Sequence, residues 1–309
     1  MKLKVPVNSY ESTVKQIEAG ADEIYMGMED AHFNRMSYSA RAQITSCDVH
    51  SNLTKNEFAR SVQYAHSKNV VVYFTANCQH ITKSDNDFYR KGFIEYVRRG
   101  IALGVDGLIV ADIGNLIALR KNGITTPVIA GSYLNCFNSE TVEFLKKLGV
   151  FRICVPDQLT FHEIKSLKES TDLEIEIFIG YGCSNLAGMC NFYHNSGEKI
   201  KVGVPCRAKF RLEDGESSNI LDACPDCAIC SIPKFYDLGI DSIKVVGREM
   251  KYGEVAKVTR MYKLAIQMYA NTEKLDKSQI ISEIPWWESD MCRNERCKYE
   301  DTRLLRSYI

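Results

Sequence analysis

The stretch Asp106–Tyr133, DGLIVADIGNLIALRKNGITTPVIAGSY, decides the fold of this chain. An apolar run of strand length, Gly107–Asp112, is followed by a helical pattern over 113–123 and then by a second apolar run, Pro127–Tyr133. Strands that are apolar at nearly every position, with a helix between them, are typical of a parallel sheet covered by helices. The stretch therefore predicts one strand–helix–strand unit of an α/β protein.

The same alternation continues in both directions along the chain. The other predicted strands are Leu3–Val7, Asp22–Gly27, Val70–Asn77, Arg152–Asp157, Glu174–Gly180 and Ser242–Gly247. The other predicted helices cover about 9–20, 54–68, 85–104, 138–149, 159–172, 232–239 and 253–272. Ser9 and Asn138 are the start signals of the helices over 9–20 and 138–149. Eight units fit a closed (β/α)₈ TIM-type barrel. An open doubly wound sheet is the alternative, but no GxGxxG follows the first strand, which argues against a dinucleotide-binding form of it.

Two segments do not fit a bare barrel. Residues 183–232, between the seventh and eighth strands, form a cysteine-rich insertion, and residues 273–309 form a C-terminal tail that contains Trp286, Trp287 and two cysteines. We therefore expect a barrel over 1–272 that includes the insertion, and a tail that packs on the barrel mouth. Long loops in compact domains are usually functional or disordered.

Composition and net charge limit the classes of protein to which this chain can belong. The chain has 309 residues with 39 basic and 39 acidic side chains, so its formal net charge is zero, and nothing in it attracts nucleic acid or an anionic membrane at long range. Its N-terminus lacks the apolar segment of a signal peptide, and no apolar run is long enough to span a membrane. We expect a cytoplasmic protein, in which its 12 cysteines serve metal or redox chemistry rather than disulfides.

The insertion holds six cysteines: Cys183, Cys190, Cys206, Cys224, Cys227 and Cys230. It follows the seventh strand, so it starts at the carboxyl-terminal face of the barrel, where active sites of this fold are built. Thiolates grouped in this way are ligands for zinc or an iron–sulfur cluster. Buried cysteines that serve as small apolar side chains are the alternative, which suits Cys136 and Cys154 better.

These cysteines also carry a family resemblance. Cys183 and Cys190, then Cys206 followed by arginine, then Cys227 and the strand GIDSIKVVGR over 239–248 resemble the signature of the collagenase-like peptidase U32 family. Further matches include GADEIYMG over 20–27 and YSARA over 38–42, and the resemblance covers about residues 4–250.

The resemblance implies a barrel with a [4Fe–4S] cluster bound by Cys183, Cys190, Cys206 and Cys227. It also implies a relationship to enzymes that hydroxylate uracil or cytosine rings of RNA, or quinone precursors, without molecular oxygen. Prephenate is implied as the oxygen donor for some of these relatives, whereas older members are labelled collagenases.

The chain departs from the family pattern in ways that affect the predicted site. Asp157-Gln158 replaces an Arg-Glu pair, Val246 replaces a glutamate, and Thr45–Ser51 resembles an insertion carrying Cys47. Three cysteines stand where the family has one, and two more lie in the tail. The four left over could form a second metal site, either another cluster or a tetrahedral zinc: Cys224, Cys230, Cys292 and Cys297. Surface thiols, or use of all three insertion cysteines by one cluster, are the alternatives.

Polar residues at the strand ends should face the mouth and bind the substrate. The predicted substrate-binding residues are Arg41, Asn77, Asp112, Asn135, Tyr181, Lys244 and Arg248. Arg248 suits a carboxylate or phosphate, which arginine binds with two parallel hydrogen bonds. Asp112 has an alternative role as a helix cap.

These observations favour an iron–sulfur-dependent oxidoreductase. It would hydroxylate a ring, or modify the ring by other redox chemistry, and the ring would belong to a small molecule or to a macromolecule. One alternative is a collagenase-like peptidase, although no nucleophile–base pair is apparent. Another is a non-catalytic iron–sulfur subunit of a modification complex. Zero net charge, and a tail too short for an extra RNA-binding domain, favour a small molecule or peptide over bulk RNA as the substrate. A protein partner is possible and a membrane span is not expected.

Overall fold

The fold is described from a computed structural model. It describes residues 1–30, 52–78, 87–180, 210–211, 213, 215, 217–218, 227–247, 251–282, 284–293 and 296–299. Seven of the predicted site residues lie outside these ranges: Arg41, Tyr181, Cys183, Cys190, Cys206, Cys224 and Arg248.

Eight parallel strands close into a barrel, which confirms the predicted fold class. They are β1 (Lys2–Pro6), β2 (Glu23–Met26), β3 (Val71–Ala76), β4 (Gly107–Val110), β5 (Val128–Ala130), β6 (Val150–Cys154), β7 (Glu174–Ile179) and β10 (Ser242–Val245). Each strand pairs with the next along the chain, and β10 pairs with both β7 and β1. The strands β8 (Phe210–Arg211) and β9 (Ser217–Ser218) form a separate antiparallel pair in the insertion.

Helices follow the barrel strands in the expected order. They are α1 (Tyr10–Glu18), α2 (Lys55–Ser67), α3 (Asp87–Ala102), α4 (Ile113–Lys121), α5 (Ser139–Lys147), α6 (Phe161–Ser170), α7 (Ile232–Asp237), α8 (Tyr252–Thr272) and α9 (Lys277–Ile281). A π-helix covers Glu288–Cys292 in the tail. No described helix is both long and apolar enough to cross a membrane.

Side-chain caps explain where several helices begin. Thr54 accepts a hydrogen bond from the backbone N–H of Glu57, whose carboxylate bonds back to Thr54, and Thr160 with Glu163 repeats this capping box at α6. Ser9 and Asn138 cap α1 and α5, as the sequence predicts.

The fifth strand is shorter than the sequence predicts. It ends at Ala130, and Ser132–Leu134 form a 3₁₀ turn closed by Asn135, whose φ of 53° is left-handed. The backbone N–H of Leu134 donates to Gly131 O at 2.9 Å, and that of Asn135 donates to Ser132 O at 3.0 Å. These local bonds replace the sheet ladder, so Asn135 lies on a turn at the rim.

The apolar core has two layers. Side chains between the strands and the helices form the larger one, including Leu3, Phe58 and Phe74. A smaller cluster fills part of the barrel interior: Tyr25, Tyr73, Ile109, Ile129, Cys154 and Phe178. The rest of the interior is charged.

Candidate active site and cysteine cavity

All eight barrel strands are parallel, so their carboxyl ends share one rim. Asn77 and Asp112 directly follow β3 and β4, Asn135 closes the turn after β5, and Lys244 lies within β10. The structure therefore brings these four predicted residues to the carboxyl-terminal half of the barrel, where the fold places active sites.

Lys244 points into the barrel interior. Its Nζ lies 4.8 Å from the ring centroid of Tyr25 and 5.2 Å from that of Phe178. It is also 3.7 Å from Glu176 Oε1 and 3.9 Å from Cys154 Sγ. The Tyr25 hydroxyl donates to Val245 O at 3.0 Å, which fixes one aromatic wall. Aromatic faces and a carboxylate thus hold this ammonium in place.

A buried charged layer lies next to Lys244. Arg152 Nη1 and Nη2 donate to the two carboxylate oxygens of Glu23 at 2.6 and 2.9 Å, and Arg152 Nε donates to Glu174 at 2.7 Å. Glu176 forms an ion pair with Lys4 and lies 3.5 Å from Arg152 Nη1. Bidentate arginine–carboxylate pairs combine strength with fixed geometry, so this layer holds the interior rigidly.

Within this layer the cations keep Glu176 ionised. Burial alone would raise the pKa of Glu176, but Lys4, followed by Lys244 and Arg152, outweighs that effect and lowers the pKa to about 2. Burial lowers the pKa of Lys4, although Glu176 opposes the shift. Of the three cations around Glu176, Lys244 has the most accessible side chain, 9% exposed against 0% for Lys4 and 1% for Arg152. Lys244 is therefore the one suited to meet a ligand.

Asn77 and Asn135 each have a buried amide oxygen that accepts no hydrogen bond from the residues the structure describes. The Asn135 amide nitrogen donates to Tyr133 O at 3.1 Å, whereas its oxygen is left unpaired. A Cβ added at Gly131 would lie 3.5 Å from Asn77 Oδ1, so this glycine keeps space beside that oxygen. Buried acceptors without partners cost free energy and call for an explanation, and a bound ligand with N–H or O–H donors supplies one.

Asp112 has a structural role in the protein alone. Its Oδ1 accepts from the backbone N–H of Asn115 at 2.8 Å and so caps α4. The Asn115 amide in turn donates to Cys78 O at 2.5 Å, which ties α4 to the end of β3. The predicted role of Asp112 in substrate binding stays a prediction.

The described cysteines of the insertion and the tail line one small cavity. Cys227, Cys230, Cys292 and Cys297, together with Lys277, surround a volume of about 10 Å³, which we call the four-cysteine cavity. Cys227 is buried, and the indole Nε1 of Trp287 donates to its sulfur at 3.3 Å. The structure places Cys227 beside Cys230, Cys292 and Cys297. Its predicted cluster with Cys183, Cys190 and Cys206 stays a prediction, because those three residues lie outside the described ranges.

The tail also reaches the strand ends. Lys298 is buried and forms an ion pair with Asp157, which follows β6, while its Nζ donates to Asp157 O at 3.1 Å. The Tyr299 hydroxyl donates to Phe178 O in β7 at 2.8 Å. Asp157 stands where the family resemblance expects an arginine, so here that position binds a cation from the tail.

Sequence reasoning did not find the buried charged layer or the Asp157–Lys298 pair. The available signal for the layer was a charged residue inside an otherwise apolar strand, as at Lys4, Arg152 and Glu176. No local signal marks Lys298, because its partner is 141 residues away.

Comparison with known proteins defines the family. The sequence model of Peptidase family U32 matches residues 8–297. The chain belongs to this family. A U32 relative from Methanocaldococcus jannaschii, named uncharacterized protease MJ0090, is 27% identical over 90% of this chain and 68% of its own length. The tRNA hydroxylation protein P1 of Bacillus subtilis is 26% identical over 95% of this chain and 68% of its own length.

Among solved structures, the U32 peptidase Mk0906 has the same fold. The TM-score is 0.53 and the sequence identity 14%, over 80% of this chain and 92% of that one. This U32 chain spans about two thirds of the length of the two relatives named above, at 68% of each.

Proposed function

We propose that this chain is an iron–sulfur-dependent enzyme that hydroxylates a ring with an oxygen atom taken from an organic donor such as prephenate instead of molecular oxygen. We propose further that the ring belongs to an RNA nucleobase, and not to the small molecule or peptide that the sequence favours. Family membership and the relative named as a tRNA hydroxylation protein support this reading. The observation that carries it is a pair of buried amide oxygens at the rim of the barrel, on Asn77 and Asn135, which accept no hydrogen bond from the residues that the structure describes.

The rim offers complementary groups to such a ring. Uracil and cytosine carry N–H donors that can satisfy the amide oxygens of Asn77 and Asn135. They also carry carbonyl oxygens, to which the Lys244 ammonium can donate. In this arrangement Glu176 acts as a positioning residue, since it holds Lys244 between Tyr25 and Phe178.

The resident group implied by the family is a [4Fe–4S] cluster. The donor set fits it, because Cys183, Cys190 and Cys206 belong to a loop that leaves the rim after β7, and thiolates are its usual ligands. Since Cys227 lies against Trp287 and the tail, we propose Cys224 as the fourth ligand. When bound, such a cluster supplies one-electron transfer.

Hydrolysis by an activated nucleophile is less well supported by the described residues. Burial raises the pKa of the Cys154 thiol to about 12, which makes it a poor nucleophile. His66 pairs with Asp106 on the outer surface, and the contacts described for it include no serine, threonine or cysteine. This is the basis on which we favour hydroxylation over the peptidase alternative.

Complementation tests the proposal. The protein is expressed in a Bacillus subtilis strain that lacks tRNA hydroxylation, cells are grown without oxygen, and tRNA nucleosides are analysed by mass spectrometry. We expect nucleosides that have gained one oxygen atom, and their loss in Lys244→Gln. Lys257→Gln, on the surface of α8, is the matched control and should retain activity.

Failure of iron-loaded, folded wild-type protein to hydroxylate tRNA, or full activity of Lys244→Gln, contradicts the proposal. Activity of the purified chain with tRNA and the oxygen donor, but with no second protein, separates an enzyme from a non-catalytic subunit, which would hydroxylate only with its partner present. Cleavage of gelatin by the same protein, abolished by a rim substitution, would favour the peptidase alternative instead.

A further inference from the structure

Two separate segments supply the thiols of the four-cysteine cavity. Cys227 and Cys230 flank Ala228-Ile229 at the start of α7, and Cys292 and Cys297 enclose four residues of the tail. The spacings C-x₂-C and C-x₄-C both fall within the range found in structural zinc sites. The fold thus brings together two ligand pairs from distant parts of the chain, of which the nearest members, Cys230 and Cys292, lie 62 positions apart.

Backbone hydrogen bonds fix the two pairs relative to each other. The N–H of Cys227 donates to Arg296 O at 3.1 Å, and the N–H of Lys298 donates to Cys227 O at 2.6 Å. This forms a parallel bridge that sets Cys227 beside Cys297. The hydroxyl of Ser231 also donates to Lys298 O at 3.1 Å. The protein therefore holds these two backbones in register without relying on any contact between the sulfurs.

A hydrogen-bond donor and a cation lie beside the sulfurs. The Trp287 indole, whose side chain is fully buried, donates to Cys227 Sγ, and Lys277 brings an ammonium to the cavity wall. Four thiolates on a divalent ion leave two negative charges, which a nearby cation and N–H donors stabilise. If the cysteines served only as apolar side chains, a lysine and an indole N–H beside them would have no negative charge to stabilise.

The cavity between the four cysteines is small. Its volume of about 10 Å³ has room for about one water-sized sphere, which suits a single ion. Among the residues that the structure describes, no three His, Cys, Asp or Glu side chains are arranged as metal ligands. Binding therefore requires the cysteine side chains to turn toward the centre of the cavity. Cys227 is buried, whereas Cys230 is exposed and Cys292 and Cys297 are partly exposed.

We propose that Cys227, Cys230, Cys292 and Cys297 bind one structural Zn²⁺ ion that joins the tail to the start of α7. The site is independent of the proposed hydroxylation, because it rests on the cavity alone. It differs from the grouping predicted from the sequence by exchanging Cys224 for Cys227. Cys224 is then left for the iron–sulfur cluster.

Metal analysis of wild-type protein and two variants tests the assignment. Protein purified anaerobically from zinc-supplemented medium should contain about one zinc per chain. The double variant Cys292→Ser/Cys297→Ser should lose that zinc and keep its iron and sulfide. Cys224→Ser, the matched control from the same segment as Cys227, should keep the zinc. These readouts do not depend on catalytic activity, so failure of the hydroxylase proposal would leave them unchanged.

A measurement on the wild-type chain covers the case in which a variant does not fold. Replacement of zinc by Co²⁺ should give the intense sulfur-to-cobalt charge-transfer bands and visible d–d bands of a tetrahedral tetrathiolate site. Wild-type protein without zinc, zinc that persists in the double variant, or iron and sulfide lost together with the tail cysteines would overturn the proposal. Loss of zinc in Cys224→Ser with retention in Cys227→Ser would overturn the exchange of ligands.

Discussion

Substitution of Arg152 by methionine tests whether the charged layer inside the barrel stabilises the fold. Methionine keeps much of the length of the side chain but removes the guanidinium, which is 1% exposed. The change leaves Glu23 fully buried, with the two hydrogen bonds of 2.6 and 2.9 Å from Arg152 lost. The hydroxyl of Ser242, at 3.2 Å, remains as a donor to this carboxylate.

The expected loss in the free energy of unfolding follows from the burial of Glu23, the carboxylate that loses its cation. Removal of one member of a buried ion pair costs about 3–5 kcal/mol. With a urea m-value of about 3 kcal/mol/M for a chain of this size, the unfolding midpoint should fall by about 1–1.7 M. Glu174→Gln is the matched control, because Glu174 bonds to the same guanidinium but is 42% exposed, and its loss should cost about 0–1 kcal/mol.

The assay is urea unfolding followed by far-ultraviolet circular dichroism, applied to Arg152→Met, Glu174→Gln, Glu23→Gln and the double variant Glu23→Gln/Arg152→Met. Since both charges are removed together, the double variant should lose less free energy than the sum of the single variants, by about 1–3 kcal/mol. An unchanged midpoint in Arg152→Met, or strict additivity in the double variant, would refute the reasoning.

Three further results are expected. The pKa of Glu176 in the folded protein, about 2, lies below the ordinary 4.5. The ionised Glu176 therefore contributes fully to stability above pH 4.5, and this contribution is lost as the pH falls toward 2. Urea midpoints measured across this range should fall more steeply in the wild type than in Glu176→Gln. Asp112→Ala should cost about 1 kcal/mol through loss of the α4 cap, whereas Asp112→Asn should keep the cap and the stability. Because the asparagine variant loses only the carboxylate, loss of hydroxylation in it would show that the carboxylate binds the substrate. Lys298→Met leaves Asp157 buried without its cation, which should loosen the tail. Limited proteolysis should therefore cut the tail faster in Lys298→Met than in the control Lys274→Met, which changes an exposed tail lysine.

The fold could be predicted because its signal is local. Each barrel strand is an apolar run next to a helix with its own start signal, and the capping residues Ser9 and Asn138 lie where the sequence places them. The predicted bounds fit β5 and β6 least well. β5 ends at Ala130 because Gly131 and the left-handed Asn135 allow a turn that apolar character does not reveal, and β6 covers Val150–Cys154 instead of the predicted Arg152–Asp157. Helical and strand periodicity report burial, and they carry no information about such a turn.

The site was only partly predictable, since its contacts join distant parts of the chain. The strand-end rule found Lys244, Asn77 and Asn135, yet it could not show that Lys244 turns inward against Glu176. Spacing grouped the cysteines but could not show that Cys227 packs against the tail. That placement depends on a tertiary contact, the Trp287 indole against the Cys227 sulfur.

The barrel can close only after its last strand has been synthesised on the ribosome. The first strand pairs with the last, Lys2 with Ser242, across 240 residues of sequence. At a typical elongation rate of about 5–20 residues per second, β1 waits roughly 12–48 s before β10 leaves the exit tunnel. During that interval Lys4 has no Glu176 beside it until β7 has been made, and one edge of β1 stays open. The nascent chain therefore spends most of its synthesis as an incomplete, open-edged sheet, and its exposure to proteases and chaperones ends only when the final strand arrives.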